Sequence, residues 1–417
     1  MGDYINSGPA LSNIRTESSG LPRGLSHGAL RRDRGLSFPP TVIPLETLRA
    51  APKVLLHDHL DGGLRPATVV DLARDQGYAG LPTTDAGELG RWFHASAASG
   101  SLSLYLRGFA HTIAVMQTEE AIERVAYECG EDLARDGIVY AEIRYAPVFH
   151  TENGLNLEQV VQSVERGFER AEREHRITLR QIICAMRDRT DSLEMAELAV
   201  ANRERGVVGF DIAGEEAGHP PKAHLDAFQL CRRENFSITI HAGEAFGPPS
   251  IWQAVQYCGA HRIGHGVRLV EDMAISDAGV GAPGRGATVV KLGPLATYVK
   301  DKRIPLELCP SSNVDTGAVP TLAEHPIRHF IAQRFRVTVN TDNRLMSNVT
   351  LSDEFQRLSR VASLTLADVE RLSINAMKSA FVGYDERVAI IYARIKPGYA
   401  RLRGEPALAG YPLPPTA

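Results

Sequence analysis

Short apolar runs alternate with longer amphipathic stretches along most of this 417-residue chain. Eight of the runs read as strands, at 53–60, 139–146, 181–186, 207–212, 237–241, 262–267, 304–309 and 336–340. Most are continuous, as in Val54-Leu55-Leu56 and Ile238-Thr239-Ile240, the pattern of a parallel strand buried on both faces. Helical periodicity falls between them, as at 157–173, where Val160, Val161, Val164 and Phe168 share a face, and at 192–203. Strand and helix alternating eight times predict an α/β fold, a (β/α)8 TIM barrel. About 80 residues separate the first two strands, far more than one crossover helix needs, so extra helices are expected after the first strand, over the barrel mouth. Within that segment Trp92, Phe93, Leu102, Leu104, Leu106, Phe109 and Met116 read as helix-packing residues rather than substrate contacts.

The ends of the chain lack this pattern. Residues 1–42 mix Ser, Gly, Pro and Arg without apolar periodicity and read as a flexible tail, a transit peptide being the rival reading. The stretch 404–417 reads as a second loose end, which leaves 43–403 as a single barrel domain. The chain is 43% hydrophobic and 23% charged, ordinary for a globular protein. Its formal charge of -4 lacks the positive field that nucleic-acid binding needs. No run reaches the length of a membrane span, and five cysteines stand singly without a C-x-x-C pair. A cytoplasmic protein acting on a small molecule, with no nucleic-acid or membrane partner, is the expectation.

Candidate chemistry sits at the ends of the predicted strands, where the active site of a barrel opens. The first strand ends in His57-Asp58-His59, the fifth in His241-Ala242-Gly243-Glu244, the sixth in Gly264-His265-Gly266 and the eighth in Asn340-Thr341-Asp342-Asn343. His57 and His59 share one face because side chains alternate along a strand. Alone, H-x-H is a weak signal, but four histidines, a glutamate and an aspartate at one rim are hard to explain as core residues. Three histidines and an aspartate suit Zn²⁺ with one position left for water, whose pKa the metal lowers toward neutrality. Glu244, three residues after a ligand, is placed to move protons, and His265 to hold the hydroxide.

These segments, together with Gly209-Phe210-Asp211-Ile212-Ala213-Gly214-Glu215-Glu216 and Cys309-Pro310-Ser311-Ser312-Asn313, resemble the ordered motif set of the adenosine deaminase family. The resemblance runs from about residue 52 to about residue 399, and its specificity comes from six motifs agreeing in order. It implies one zinc per chain, held by His57, His59, His241 and Asp342, and hydrolytic replacement of the 6-amino group of adenosine or 2′-deoxyadenosine by oxygen, with release of ammonia. It further implies that Glu244 carries a proton to purine N1 and that His265 orients the attacking hydroxide. Gly214 would meet N3 through its backbone N–H, Asp61 would lie near the ribose 5′-hydroxyl, and His59 would border the substrate as well as the metal. Where many members have a second aspartate the chain has Asn343, whose amide can donate to N7 directly.

Gly279-Val280-Gly281-Ala282-Pro283-Gly284 matches G-x-G-x-x-G but follows no strand and reads as a surface loop. Cys309-Pro310 lacks the second cysteine of the cytidine-type deaminases, and residues 211–216 hold no lysine of the kind that binuclear amidohydrolases often present at the end of the fourth strand, so a single metal is expected. Deamination of a larger nucleoside such as aminodeoxyfutalosine uses the same chemistry with a different ribose end, expected between residues 81 and 116. A catalytically silent binding protein predicts the loss of a ligand or of Glu244, and none is lost.

Overall fold

The run Val54-Leu55-Leu56 is buried on both faces in the computed structural model, which describes residues 42–276 and 288–406. It belongs to β1 (Lys53–His59), followed in the barrel by β2 (Ile138–Tyr145), β3 (Thr178–Met186), β4 (Val207–Ala213), β5 (Ser237–Ala242), β6 (Arg262–His265), β7 (Leu306–Leu308) and β8 (Val337–Val339). Neighbours pair in this order and every pair is parallel. β8 returns to β1 just past its end. Asp58 and Asp342 form a parallel bridge, His59 N–H donates to the Asp342 carbonyl at 2.7 Å, and Asp342 N–H donates to the His57 carbonyl at 3.0 Å. The expected (β/α)8 barrel is present, each strand within three residues of its predicted ends.

The outer helices follow from local sequence. Leu157–Glu174 opens on a capping box in which Asn156 accepts from the Gln159 N–H at 2.8 Å and Gln159 accepts from the Asn156 N–H at 3.0 Å. Its Val160, Val161, Val164 and Phe168 are buried on one stripe, each apolar side chain contributing roughly 1.5–3 kcal/mol. Thr350 with Asp353 and Thr365 with Asp368 start Leu351–Val361 and Leu366–Ser379 in the same way.

The long first connection holds the helices Pro66–Asp75, Ala86–Ala97, Leu102–Tyr105 and Phe109–Ala114 before the crossover helix Glu119–Arg135. The helix-packing expectation for its apolar residues holds only in part. Phe93 and Met116 are fully buried and Trp92 and Phe109 pack against the core, while Leu102, Leu106 and, on its other side, Phe109 border the central cavity. The physical reason is the shortness of the elements here, Leu102–Tyr105, the turn Leu106–Gly108 and Phe109–Ala114: none is long enough to bury a whole stripe, so apolar side chains are left to cover the barrel mouth.

An antiparallel pair, Met273–Ser276 with Thr288–Leu292, was not foreseen, because its segments are short and one has exposed residues. The G-x-G-x-x-G stretch at 279–284 lies outside the described residues, as do tail residues 1–41 and 407–417. Among the described residues no helix is long and apolar enough to cross a membrane.

Candidate active site

A cavity of about 560 Å³ opens at the C-terminal ends of the strands. Alternation along β1 sends His57 and His59 inward and Asp58 into the seam with β8, where its carboxylate accepts from Thr341 Oγ1 at 2.6 Å and from Arg344 Nε at 3.0 Å. His57 Nε2 and His59 Nε2 lie 3.2 and 3.3 Å from Asp342 Oδ1, and His59 Nε2 lies 3.2 Å from His241 Nε2. The ligand atoms of these four residues all fall within 4.8 Å of one another. His57 Nε2 is buried without a hydrogen-bond partner. Two imidazole nitrogens facing each other across 3.2 Å cannot both present lone pairs unless a cation or a proton sits between them. Burial holds the rings of His59 and His241 below the usual imidazole range, which keeps them neutral and able to ligate. The donor set therefore fits a divalent metal of borderline softness.

The far side of each ring is fixed. Glu307 Oε2 lies 2.9 Å from His57 Nδ1, and Asp211 Oδ2 lies 3.0 Å from His241 Nδ1, so both rings direct Nε2 to the centre. The fully buried Arg144 binds both carboxylates, Asp211 at 2.6 Å and Glu307 at 2.9 Å, and Arg262 Nε donates to Glu307 at 2.5 Å. Burial opposes charge on Glu307, but Arg144 and Arg262 outweigh it and hold the carboxyl well below its ordinary range. A second grouping, His57, His265, Cys309 and Asp342, is equally tight. Cys309 Sγ donates to the Glu307 carbonyl at 3.5 Å and burial pushes its thiol well up, so it is a poor source of thiolate.

Glu244 and His265 stand beside the cluster. Glu244 Oε2 is 3.5 Å from His265 Nε2, and its Oε1 accepts from Thr316 Oγ1 at 3.0 Å. Burial, then the charges of Asp342 and Glu216, push the Glu244 carboxyl well above its ordinary range. Glu216 fixes this loop: its carboxylate accepts from the backbone N–H groups of Gly243 at 2.7 Å, Glu244 at 3.0 Å and Phe246 at 2.8 Å. Behind His265 runs a chain with one direction. His325 Nδ1 accepts from the Ile327 N–H at 3.1 Å, so its Nε2 carries the proton donated to Asn313 Oδ1 at 3.2 Å. The Asn313 amide then donates to His265 Nδ1 at 3.0 Å, which leaves the His265 proton on Nε2, facing Glu244. Burial lowers His325 to about 3, so it stays neutral. His265 and Asp342 both take positive φ, 59° and 60°, a strained backbone that aims their side chains into the cavity.

The remaining predicted residues line the same cavity. Asp61 is buried, which pushes its carboxyl up to about 7. Gly214 has φ 100° at the end of β4, and an added Cβ would come within 3.0 Å of Met186 Cε. Asn343 lies against Gly62, where a Cβ would come 1.9 Å from Asn343 Oδ1, so only glycine leaves room for this amide. All the residues singled out at the strand ends meet here. Sequence reasoning assigned no role to Asp211, Glu216, Glu307, Asn313, Thr316, His325 or Arg144. Asp211, Glu216 and Asn313 stood inside the quoted motifs, and a carboxylate within the buried runs of β4 and β7 was the available signal.

The chain's likenesses agree with this geometry. The family model for adenosine deaminase matches residues 52–396. Adenosine deaminase 1 of Streptomyces coelicolor is 58% identical over 365 residues, covering 86% of this chain and 90% of the relative. Adenosine deaminase of Mycobacterium marinum is 56% identical over 365 residues, covering 86% and 98%. Among solved structures, adenine deaminase of Arthrobacter aurescens superposes with a TM-score of 0.72 at 26% identity, covering 82% of this chain and 97% of that one. The matched span contains all eight strands of the barrel and every residue of the cavity described above, and the chain belongs to the adenosine deaminase family.

Proposed function

We propose that this chain is a zinc-dependent hydrolase that converts adenosine and 2′-deoxyadenosine to inosine and 2′-deoxyinosine, with release of ammonia. The observation that carries the reading is the convergence of three imidazoles and the Asp342 carboxylate on one point, with Glu244 and His265 beside it on the wall of a cavity. The relatives above 50% identity are named for adenosine, which favours the nucleoside over the free base named for the more distant structure.

His57, His59, His241 and Asp342 would hold the zinc, which suits a site of three nitrogens and one oxygen with a position left open. A bound zinc supplies the Lewis acidity that makes hydroxide available from water near neutral pH. Glu244, protonated in its buried position, donates to purine N1 and so raises the electrophilicity of C6. His265 presents Nε2–H toward the attacking oxygen, its tautomer set by Asn313. As the oxygen adds at C6, the Glu244 carboxylate left by that donation takes the proton of the attacking hydroxyl and passes it to the amino group, which leaves as ammonia. Gly214 N–H and the Asn343 amide hold N3 and N7, Asp61 holds the ribose 5′-hydroxyl, and His59 borders the substrate. Leu102, Leu106 and Phe109 cover the mouth and keep bulk water from the reacting face.

The test is to purify the protein, measure its metal content, and follow the ultraviolet change on converting adenosine, beside deoxyadenosine, adenine, AMP and aminodeoxyfutalosine. Adenosine and deoxyadenosine are expected to turn over fastest. A zinc-loaded protein that converts none of the five overturns the reading; fastest turnover of adenine or aminodeoxyfutalosine overturns the substrate assignment.

A further inference from the structure

At the opposite end of the barrel, away from the strand ends that carry the catalytic cluster, lies a second cavity of about 510 Å³. Its wall is formed where β6, β7 and β8 begin, by Arg262, Ile304, Pro305 and Arg336, and by the segment that follows Leu366–Ser379. Its charged lining is entirely basic: Arg262, Lys302, Arg303, Arg336, Lys378 and Arg387 face it with His261, and no aspartate or glutamate does. In a chain with more acidic than basic residues this segregation is unusual. Arg262 is neutralised by Glu142 and Glu307. The other five form no ion pair among the described residues. Arg303 and Arg387 reach only backbone carbonyls, of Arg334 and Lys378, at 2.8 and 3.1 Å.

Donors are also left over. Arg262, whose side chain is 1% exposed, uses Nε and Nη1 on its two glutamates and keeps Nη2 buried without an acceptor. Arg336 Nε and Arg387 Nε are likewise buried without one. Burial, then the charges of Arg303 and Arg387, pull Arg336 below its ordinary value, as expected for a cation lacking a counter-charge. Buried polar groups are otherwise satisfied almost everywhere in folded proteins. Several unsatisfied guanidinium N–H groups at one concave, uniformly basic site mark a place for an anion with several acceptor oxygens.

We propose that this cavity binds a phosphate group, either free or carried on a small metabolite such as a nucleotide. Guanidinium forks match phosphate oxygens two at a time, and the lysines at the rim add charge without fixing orientation. The volume exceeds what an inorganic ion fills, which leaves room for the body of a metabolite.

Calorimetric titration of the full chain with inorganic phosphate and with ATP, at ionic strength held constant with sodium chloride, tests this. At least one of the two is expected to bind the wild type one to one, and Arg336→Gln/Arg387→Gln is expected to bind it at least about tenfold more weakly. Binding of phosphate alone identifies a free-phosphate site, and tighter binding of ATP a metabolite site. Without anion the single variant Arg336→Gln, which gives up no ion pair and no side-chain hydrogen bond, is expected to melt no lower than wild type. Equal affinity in wild type and double variant, or no binding of either probe, overturns the proposal; so does a lower melting temperature of Arg336→Gln, which would show that this cation already has a partner. Lys302→Gln/Lys378→Gln, at two exposed positions, repeats the comparison independently of packing.

Discussion

Nδ1 of His57 and Oε2 of Glu307 lie 2.9 Å apart, both fully buried, at the point where the charged interior of the barrel meets the candidate metal cluster. The carboxylate fixes the tautomer and ring plane of the histidine and raises its basicity at Nε2. Glu307→Gln keeps the shape but weakens both effects. Metal affinity, read by chelator competition, is expected to fall about 10- to 100-fold. The variant is also expected to melt lower, because Arg144 and Arg262 lose a buried counter-charge. Wild-type metal affinity in a folded variant would show that the Glu307 charge does not reach the metal through His57.

Glu244 is held from two sides, by Thr316 on its carboxyl and by Glu216 on its backbone, so that its position does not depend on a bound metal. Glu244→Gln preserves the outline and removes the transferable proton. Bound zinc is expected to remain at the wild-type level while kcat for adenosine falls by roughly 10²–10⁴-fold. Residual activity within tenfold of wild type would move the proton shuttle to another group.

The residues of the cluster were legible in the sequence because each stands at the C-terminal end of an apolar run, and the fold makes that position functional. The groups behind them were not. Glu307 approaches His57 from a strand 250 positions away, and its role exists only once the barrel has closed. His325 lies in a connection with no pattern of its own, and only its contact with Asn313 ties it to the site. That Leu102, Leu106 and Phe109 border the cavity was not legible, because apolar periodicity marks burial without saying whether a helix or a ligand provides the cover.

The order of donors from His325 through Asn313 to His265 predicts a tautomer effect. Asn313→Asp offers only acceptors, so His265 must turn its proton to Nδ1 and leave Nε2 bare toward Glu244. A wrong tautomer of a catalytic histidine costs up to about 10⁴-fold in kcat. The expected outcome is a fall of roughly 10²–10⁴-fold in kcat with unchanged zinc content and a KM within a few-fold of wild type. Rates within threefold of wild type would remove His265 from the chemistry or reverse the chain.

Asn343 predicts a selective effect on binding. If its amide donates to N7, Asn343→Ala loses one neutral hydrogen bond, about 0.5–1.5 kcal/mol, or roughly a 3- to 10-fold rise in KM for adenosine. The same substitution is expected to leave KM for 7-deazaadenosine, which carries C–H in place of N7, almost unchanged. Equal losses for both substrates would place the amide elsewhere. Gly62→Ala is expected to copy the adenosine effect, since its Cβ would occupy the space of Asn343 Oδ1.

Glu354 gives a pH dependence outside the catalytic cluster. Its carboxyl is fully buried, accepts from the Ser311 N–H at 3.0 Å and leaves Oε2 without a partner. Burial pushes it up to about 7 from an ordinary value of 4.5, although Ser311 opposes the shift. Between pH 4.5 and 7 the folded state therefore binds the proton more strongly than the unfolded chain. Unfolding releases protons in that window, so this group's stabilising contribution is complete below 4.5 and is lost as the pH rises through 7. The loss amounts at most to about 3 kcal/mol. Glu354→Gln imitates the protonated form at every pH. Its melting temperature relative to wild type is expected to climb steadily from pH 4.5 to 8 and to level off above. A difference that stays flat across this range would mean that the folded protein solvates the Glu354 carboxylate as well as water does.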